Sequence, residues 1–157
     1  MRSDKLSKEN RLSGIKVTDI LKKDNLDGAE DVTLIGKIDK KIYSCITDDI
    51  ITDEVIITNE RIGHIKQNHP NDYEKYYGYL KMVVEEPDYI VEANKPNSAL
   101  ILKEIIESDE KQLKTVLRLK TSTDKPEYKN SIITFMIINE KEWKRLLKNK
   151  NVLYSRK

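Results

Sequence analysis

Apolar residues follow two different spacings along the chain, and the change separates a helical part from a β-rich part. In the segment TDEVIITNERIGHIKQNHP a short apolar run ends at Thr58 and Asn59, residues typical of helix N-caps, and Glu60 falls in the first turn. Pro70 cannot continue a helix without a kink and disfavours helical geometry at His69. The pattern therefore predicts a helix from about Glu60 to His69.

A second helix is expected directly after this proline. Asn71 or Asp72 can cap it, and four apolar residues recur at helical spacing as far as Glu86: Tyr76, Leu80, Val83 and Val84. Pro87 then ends the helical pattern. The tyrosines at positions 73, 76, 77 and 79 are interpreted as a packing and interface stripe.

The spacing changes to that of strands after Pro87. Four strand-like runs, DYIVEA, SALILKEI, LKTVLRLK and NSIITFMII, are separated by polar turns, and a helix of KEWKRLLKN type follows them. Four successive strands indicate an antiparallel meander. We therefore predict an α+β fold in which N-terminal helices precede a four-stranded antiparallel sheet and a C-terminal helix, with helices packed on one face.

The first fifty residues are harder to assign. GIKVTDILKK is compatible with a short helix, and VTLIGKIDKKIYSCIT has the alternation and β-branched content of a hairpin or two short strands. We expect residues 1–50 to form an N-terminal extension and residues 51–157 to form the functional domain.

Composition indicates a polar, single-domain globular protein. The 157 residues are 36% charged and 38% apolar, and the single cysteine, Cys45, cannot form an internal disulfide. No apolar run resembles a signal peptide or a membrane span. A cytoplasmic protein without membrane attachment is the expectation.

Charge is distributed unevenly between the two parts of the chain. Residues 1–109 carry 16 Lys and Arg against 22 Asp and Glu, a net charge of −6, while residues 110–157 carry 13 against 5, a net charge of +8. A basic segment of this kind suits a polyanionic partner such as a nucleic acid. A solvated surface explains the same charges equally well.

Most cofactor-dependent and metal-dependent chemistries lack their motifs here. The chain has no GxGxxG, Walker, GxSxG or HExxH sequence, and neither a cofactor nor a metal is expected. The two histidines, His64 and His69, are five residues apart, which on a helix turns their side chains by roughly 140° and does not suit one metal site. Histidine exchanges protons near neutral pH, so both are candidates for acid–base catalysis. The alternative is that one caps the helix and the other packs on the sheet.

The order of motifs from about Asp53 to Arg156 resembles a known group of nucleases. The matching features are ITNERIGHIKQNHP with the Tyr-rich helix, EEPDYIVEA, strands containing ILKE and VLRLK, NSIITFM, and the closing KEWKRLLKNKNVLY. Together they resemble the phage-associated barnase, EndoU, colicin and RelE-like nuclease families, often shortened to PBECR. The resemblance implies a barnase-like fold and metal-independent endoribonuclease activity in phage, prophage or toxin settings.

The implied reaction begins when a base removes the proton of an RNA 2′-hydroxyl. That oxygen attacks the adjacent phosphorus, and an acid protonates the departing 5′-oxygen, leaving a 2′,3′-cyclic phosphate. The resemblance assigns the acid or base role to His64 or His69, with His64 preferred. Glu104 is an alternative base, but it points to the opposite side of its strand from Lys103.

Phosphate-binding groups are expected on the strands. Lys103 and Arg118 are the candidate phosphate clamp, although both are equally compatible with structural ion pairs. Thr134 is the candidate hydroxyl donor. It is preferred to Ser131, because the two have opposite strand parity and only one is expected to face a given pocket.

Further contacts to RNA are assigned to the basic C-terminal segment. The candidate RNA-binding residues are Lys120, Lys129, Arg145 and Tyr154. Tyr154 is able to stack on a base, but a buried tyrosine near the C terminus more often packs in the core. Trp143 and Leu147 at i and i+4 are interpreted as core residues.

The expected partners are RNA, with tRNA among the candidates, and an immunity or antitoxin protein. Two other classes stay open at this stage. A noncatalytic RNA-binding module would retain the basic sheet and tolerate loss of both histidines. An ADP-ribosyl transferase or a similar toxin would need a nicotinamide pocket, for which the sequence shows no fingerprint.

Overall fold

The computed structural model describes residues 31–106 and 110–156, and the chain divides into two compact units. Of the described residues, the first contains 31–33 and 58–60, and the second contains 34–57, 61–106 and 110–156. In the described part of the first unit, the Asn59 backbone N–H donates to the Asp31 carbonyl oxygen at 3.0 Å. Every residue of the candidate site described below belongs to the second unit.

Seven strands and five α-helices make up the described residues. The strands are β1 (Val32–Lys37), β2 (Glu54–Thr58), β3 (Tyr89–Glu92), β4 (Ser98–Ile105), β5 (Lys111–Arg118), β6 (Asn130–Ile138) and β7 (Val152–Ser155). The helices are α1 (Lys40–Tyr43), α2 (Asn59–Asn68), α3 (Pro70–Tyr76), α4 (Leu80–Glu85) and α5 (Glu140–Asn149), with a 3₁₀ turn at Tyr77–Tyr79.

The sheet is larger than the predicted four-stranded antiparallel one. Its strand order is β1-β2-β6-β5-β4-β3-β7, and β3 to β6 form the expected antiparallel meander at its centre. The sheet is mixed because β2 pairs in parallel with β6, and the long connection between them runs through α2 to α4 and the strands β3 to β5. The apolar tail after α5 adds β7 antiparallel to β3. The class α+β is confirmed, and the four-strand description is corrected to a seven-stranded mixed sheet.

The prediction of a hairpin or two strands in residues 32–47 is wrong in its second half. Only β1 is extended, and α1 follows it because Asp39 caps the turn by accepting the Lys41 backbone N–H at 2.9 Å. The hydroxyl of Tyr43, which is fully buried, then donates to the Val84 carbonyl oxygen at 2.8 Å. The helix suggested for GIKVTDILKK lies outside the described residues.

The first predicted helix is confirmed within one residue at each end as α2, whereas the second differs in its start and its continuity. His69, not Asn71 or Asp72, occupies the N-cap position of α3, and Pro70 is the first helical residue, where its missing N–H costs nothing. The Asp72 carboxylate instead accepts the Ile137 backbone N–H at 3.1 Å. This contact gives a hydrogen-bond partner to a backbone group of β6 that lies beyond the part of the strand paired with β2.

Helices cover both faces of the sheet, not one as predicted. One face, here called the core face, carries Ile101, Leu113, Leu117 and Phe135, and α1, α2 and α4 pack their buried residues against it. The opposite face, here called the α5 face, buries Leu102 in a smaller cluster with Leu146 and partly buried Trp143 of α5. In the part of the chain that the structure describes, no helix is both long enough and apolar enough to cross a membrane.

Candidate active site

A cavity of about 580 Å³ lies on the α5 face, next to the region that α5 covers. Its floor is apolar and comes from three neighbouring strands: Leu100 of β4, Val116 of β5 and Ile133 of β6. Leu100 and Val116 are directly opposite each other in the β4–β5 register, so their side chains project to the same side. The volume is in the range of cavities that hold a small organic ligand or a nucleotide.

Three cationic side chains line this cavity. Arg61 comes from the first turn of α2, Lys95 from the loop between β3 and β4, and Arg118 from the end of β5. The same loop contributes Asn94 and Asn97 to the wall. An apolar floor beneath a cationic rim suits a ligand that combines a flat organic ring with an anionic group, as a nucleotide does.

The β3–β4 loop is held in place at both ends. The Asn97 carbonyl oxygen accepts the Leu119 backbone N–H at 2.8 Å, and the Lys150 ammonium donates to the Asn94 side-chain oxygen at 2.9 Å. Asn97 has a φ of 59°, in the left-handed region that asparagine tolerates better than most residues. The wall of the cavity is therefore a fixed turn attached to the end of β5.

His64 lies one helical turn after Arg61 on the same side of α2. Residues three apart on a helix have Cβ atoms about 5–6 Å from each other, so the His64 ring is a near neighbour of a side chain that lines the cavity. The ring is exposed, and it has no hydrogen-bond partner among residues 31–106 and 110–156. This placement leaves the imidazole accessible to a ligand.

His69 is tied to the helical layer by its backbone. Its N–H donates to the Ile65 carbonyl oxygen at 2.7 Å, and its own carbonyl oxygen accepts the Tyr73 N–H at 3.0 Å. It adopts φ −140° and ψ 60°, where α2 ends and α3 begins. The structure therefore places the two histidines at different points of the helical segment, and only His64 shares a helix side with Arg61.

Arg118 is held in place by a carboxylate. Its Nη2 lies 2.8 Å from Asp124 Oδ1 and its Nη1 lies 3.0 Å from Asp124 Oδ2, a two-point pairing of guanidinium and carboxylate. Nη1 also donates to the Leu119 carbonyl oxygen. The hydrogen bonds from Arg118 and from the Thr121 N–H lower the pKa of Asp124 to about 2, so the carboxylate stays ionised at any ordinary pH.

The loop between β5 and β6 that carries Asp124 is anchored at several points. The Asn130 side chain accepts the Lys120 backbone N–H at 2.8 Å and donates to the Thr52 and Glu54 carbonyl oxygens at 2.7 and 2.9 Å. The Asp49 carboxylate accepts hydrogen bonds from the backbone and side chain of Ser122, at 3.0 and 2.6 Å. These contacts make the loop a rigid support for the end of β5.

Both predicted RNA-binding lysines belong to this loop region. The Lys120 ammonium donates to the Pro126 carbonyl oxygen at 2.9 Å, and the Lys129 ammonium lies 3.9 Å from a Glu54 carboxylate oxygen. The Lys129 side chain is nearly half exposed, so its ion pair with Glu54 is weak and readily exchanged. Both lysines stand next to the strand ends that carry Arg118 and Ser131.

Lys103 and Arg118 do not lie on the same face of the sheet. It pairs in register with buried Leu113 on the core face, whereas Arg118 pairs with Ser98 on the α5 face. The Lys103 side chain is only 8% exposed, and its ammonium donates to the Glu86 carbonyl oxygen at 2.6 Å and lies 3.4 Å from Asp88. It holds the C-terminal end of α4 to the sheet, so the two predicted phosphate clamps lie on opposite faces.

The prediction that Ser131 and Thr134 lie on opposite faces of β6 is wrong, because β6 contains a bulge. The register pairs Arg118 with Ser131 and Val116 with Thr134, with a shift between Val116 and Leu117. One extra residue in β6 reverses the alternation, so both hydroxyl groups lie on the α5 face. Thr134 therefore lies on the α5 face directly opposite Val116, which lines the cavity.

Arg145 and Tyr154 lie away from the cavity floor. Arg145 is an exposed residue of α5 whose guanidinium pairs with Glu142 through two contacts of 2.7 Å, and this pairing raises the pKa of Arg145. Tyr154 packs against the core-face cluster opposite Ile90 in β7. The position of Tyr154 fits packing in the core and not stacking on a base.

The alternative base Glu104 lines a different cavity. This smaller space of about 100 Å³ is bounded by Asp88, Tyr89, Glu104 and Trp143, with the Tyr89 and Trp143 rings edge to face at 5.9 Å. Glu104 lies four residues along β4 from Leu100, which at roughly 3.3 Å per residue is about 13 Å. Leu102, buried beneath α5, lies between them.

The structure therefore brings together part of the predicted set. Arg118 and Thr134 share the α5 face at or beside the cavity, with His64 on the adjoining helix, while Lys103 and Tyr154 belong to the core face. The sequence reasoning missed Arg61 and the wall formed by Asn94–Asn97. Arg61 was detectable because it precedes His64 by three positions on the predicted helix, but the loop was assigned only as a turn.

One comparison with known proteins identifies the family of this chain. Residues 30–155 match the model of the phage-Barnase-EndoU-ColicinE5/D-RelE like nuclease2 family, PBECR2. The match covers most of the chain, so the protein belongs to this nuclease family, and the resemblance noted from its motifs is confirmed. Neither the comparison with curated proteins nor that with solved structures found a match.

Proposed function

We propose that this protein is a metal-independent endoribonuclease that cleaves RNA by attack of a 2′-hydroxyl on the adjacent phosphorus. The observation that supports the proposal best is the cavity on the α5 face, where Arg61 and Arg118 border an apolar floor. Family membership supports a nuclease role. The volume and the cationic rim of the cavity suit a nucleotide with its phosphate.

The cationic rim suits the charge that develops in this reaction. Negative charge builds on the non-bridging phosphoryl oxygens as the 2′-oxygen attacks, and donors fixed in advance stabilise it most effectively. Arg118 is held by Asp124 and is therefore preorganised, and Arg61 faces the same cavity from α2. Thr134, beside Val116, is proposed as a hydroxyl donor to the same phosphate.

His64 is proposed for proton transfer at this site. Its ring is exposed one turn from Arg61, and histidine is the side chain that most readily takes and returns a proton near neutral pH. Base attack at the 2′-hydroxyl and protonation of the 5′-oxygen are the two transfers required. We assign His64 to one of them, and His69 is the second histidine to be tested.

RNA is proposed to continue from the cavity along the basic C-terminal segment. Lys120 and Lys129 lie at the strand ends beside Arg118, and Arg145 lies on the helix that covers the same face. Each such contact displaces counterions from the phosphate backbone, so binding should weaken steeply with salt. Toxin or phage function, and inhibition by an immunity or antitoxin protein, remain proposals that rest on the family setting.

The decisive experiment uses purified protein with labelled single-stranded RNA in EDTA. The products are analysed by mass spectrometry for 2′,3′-cyclic phosphate ends. A DNA strand containing a single ribonucleotide should be cut only after that ribonucleotide, and its 2′-O-methyl counterpart should not be cut. Cleavage of all-DNA strands, or products with 5′-phosphate ends, would exclude the 2′-hydroxyl mechanism.

Substitutions then test the site. His64→Ala is expected to lower kcat/KM by about 10²–10⁴-fold, the usual contribution of a positioned acid or base. Arg118→Ala is expected to lower it by about 10²–10³-fold through lost transition-state stabilisation. Lys40→Ala is the matched control, because Lys40 is an exposed cation on α1, which packs on the core face. Equal losses in all three variants would contradict the proposed location.

A noncatalytic RNA-binding module is the second candidate. It is favoured by one observation: Lys103, a predicted catalytic cation, is committed to the end of α4 and to Asp88. This candidate predicts salt-dependent RNA binding that Arg118→Ala weakens, with RNA that stays intact. The cleavage assay above separates the two.

A further inference from the structure

We propose that Asp124 is a positioning residue for the reaction: its carboxylate fixes the Arg118 guanidinium in the orientation that receives the scissile phosphate. The proposal rests on the proposed function, since it assigns a role within the same site. Asp124 is not among the residues that line the cavity. It acts through Arg118 and not on the substrate.

The contact between the two side chains constrains orientation and not only distance. Two parallel N–H to O contacts, of 2.8 and 3.0 Å, define the plane of the guanidinium as well as its position. The Arg118 side chain is about one third exposed and lines the cavity, whereas the Asp124 side chain is 11% exposed and is not among the lining residues. An arginine held in this way loses little conformational freedom when a phosphate binds.

The loop is built around this carboxylate. Asp124 Oδ2 accepts the Thr121 backbone N–H at 2.8 Å and the Thr121 hydroxyl at 3.3 Å, in addition to Arg118. The preceding residue, Lys120, is fixed by buried Asn130, and Ser122 is fixed by Asp49. The Asp124 carboxylate thus connects Arg118 to Thr121, which lies between the two anchored residues Lys120 and Ser122.

The loss of charge and the loss of positioning predict opposite effects on RNA binding when Asp124 is removed. A carboxylate beside a phosphate site cancels part of the positive potential, so its removal should strengthen binding of a polyanion if potential were all that mattered. If Asp124 orients Arg118, its removal should weaken binding and slow cleavage, although the net charge becomes more positive. The two readings therefore differ in the sign of the effect.

The pair stays ionised across the range of an activity assay. The hydrogen bond from Arg118 is the largest cause that lowers the pKa of Asp124, to about 2, against about 3.9 for a free aspartate. Because the folded pKa is depressed, the contribution of this carboxylate is complete above about pH 4 and is lost only as the pH falls towards 2. Loss of activity between pH 5 and 8 must then come from another group.

The test compares Asp124→Asn with Asp49→Asn. Both remove a carboxylate charge that anchors the same loop, but only Asp124 contacts Arg118. The kcat and KM for labelled RNA, the Kd for a 2′-O-methyl RNA oligonucleotide and the melting temperature are measured for each. Asp124→Asn is expected to lower kcat/KM on the order of 10- to 100-fold, the size of effect that misplacing a catalytic group produces.

The same variant is expected to weaken binding of the 2′-O-methyl RNA. Asp49→Asn should change both quantities less than about 3-fold at a comparable cost in melting temperature, because it leaves the Arg118 pairing intact. Asp124→Glu restores a carboxylate and should recover part of the loss. It is also the variant to measure if Asp124→Asn does not fold. Because it keeps the charge and changes only the geometry of the pairing with Arg118, an intermediate loss of kcat/KM would support positioning, and wild-type kcat/KM would count against it.

Tighter binding or undiminished kcat/KM in Asp124→Asn would overturn the proposal. Equal losses in Asp49→Asn would also overturn it, since the effect would then belong to loop stability. If the wild-type protein cleaves no RNA, the proposed function fails, and the 2′-O-methyl RNA measurement still decides this inference. Weaker binding in Asp124→Asn alone would support positioning of Arg118 for phosphate, and unchanged or tighter binding would refute it.

Discussion

Replacing Asn130 with alanine is expected to lower the free energy of unfolding by about 3 kcal/mol, at roughly 1 kcal/mol for each of its three hydrogen bonds. The side chain is fully buried at the start of β6, and it accepts from Lys120 and donates to the carbonyl oxygens of Thr52 and Glu54. Alanine removes all three contacts and leaves one backbone N–H and two carbonyl oxygens without the side chain that satisfied them. The loop that carries Asp124 loses its main anchor in the same step.

Urea denaturation followed by tryptophan fluorescence measures this change. Trp143 is the only tryptophan in the chain, and its ring packs against Tyr89 where α5 meets the sheet. Ser131→Ala is the matched control, because the Ser131 hydroxyl makes one hydrogen bond, of 3.0 Å, to the Lys129 carbonyl oxygen at an exposed position. Its cost should be below about 1 kcal/mol.

A second substitution at the same position tests the two hydrogen bonds that the Asn130 amide donates. Asn130→Asp keeps an acceptor for the Lys120 N–H but sets carboxylate oxygens against the Thr52 and Glu54 carbonyl oxygens. A buried and unpaired charge is costly, so this variant should be less stable than Asn130→Ala at neutral pH. If both variants unfold within about 1 kcal/mol of wild type, the three hydrogen bonds contribute far less than this reasoning requires.

Two further substitutions test the assignment of structural residues. Thr115→Val should leave the free energy of unfolding unchanged or raise it by up to about 1–2 kcal/mol in the same urea assay. The reason is that the buried Thr115 hydroxyl has no hydrogen-bond partner among the described residues, and valine keeps the shape of the side chain. A loss above about 1 kcal/mol would mean that the hydroxyl is hydrogen-bonded in the folded protein. Lys103→Met should lower the free energy of unfolding by on the order of 2 kcal/mol, because it leaves the Glu86 carbonyl oxygen and Asp88 without their cation. The kcat/KM measured on folded protein should stay near the wild-type value. A large fall in kcat without a change in stability would instead indicate that Lys103 is a catalytic residue.

The order of elements from α2 to α5 could be predicted from the sequence because it depends on local signals. Pro70 disfavours helical geometry at His69, where α2 ends and α3 begins, and the four runs of the meander carry β-branched residues between polar turns. The family resemblance could be recognised for the same reason, since it depends on the order of these motifs. β2 and β7 are short, and their membership of the sheet depends on partners far away in the chain, so local signals did not assign them.

The faces of the strands could not be predicted, and the candidate site depends on them. β4 is apolar on both sides because α1, α2 and α4 cover one face and α5 covers part of the other, so its sequence shows no alternation that would place Lys103. The bulge in β6 reverses parity between Ser131 and Thr134, and a one-residue shift of this kind leaves no mark in the sequence itself.

The sequence by itself determined the family, the α+β class, the basic C-terminal segment and the presence of His64 on a helix, because each depends on residue order, composition or local periodicity. Only the tertiary structure decided that Arg118 faces a cavity with Arg61, that Lys103 faces the other way, and that Asp124 holds Arg118. These facts depend on the register of the strands and on which part of the sheet α5 packs against. Both are set by contacts between residues distant in sequence, which no local pattern encodes.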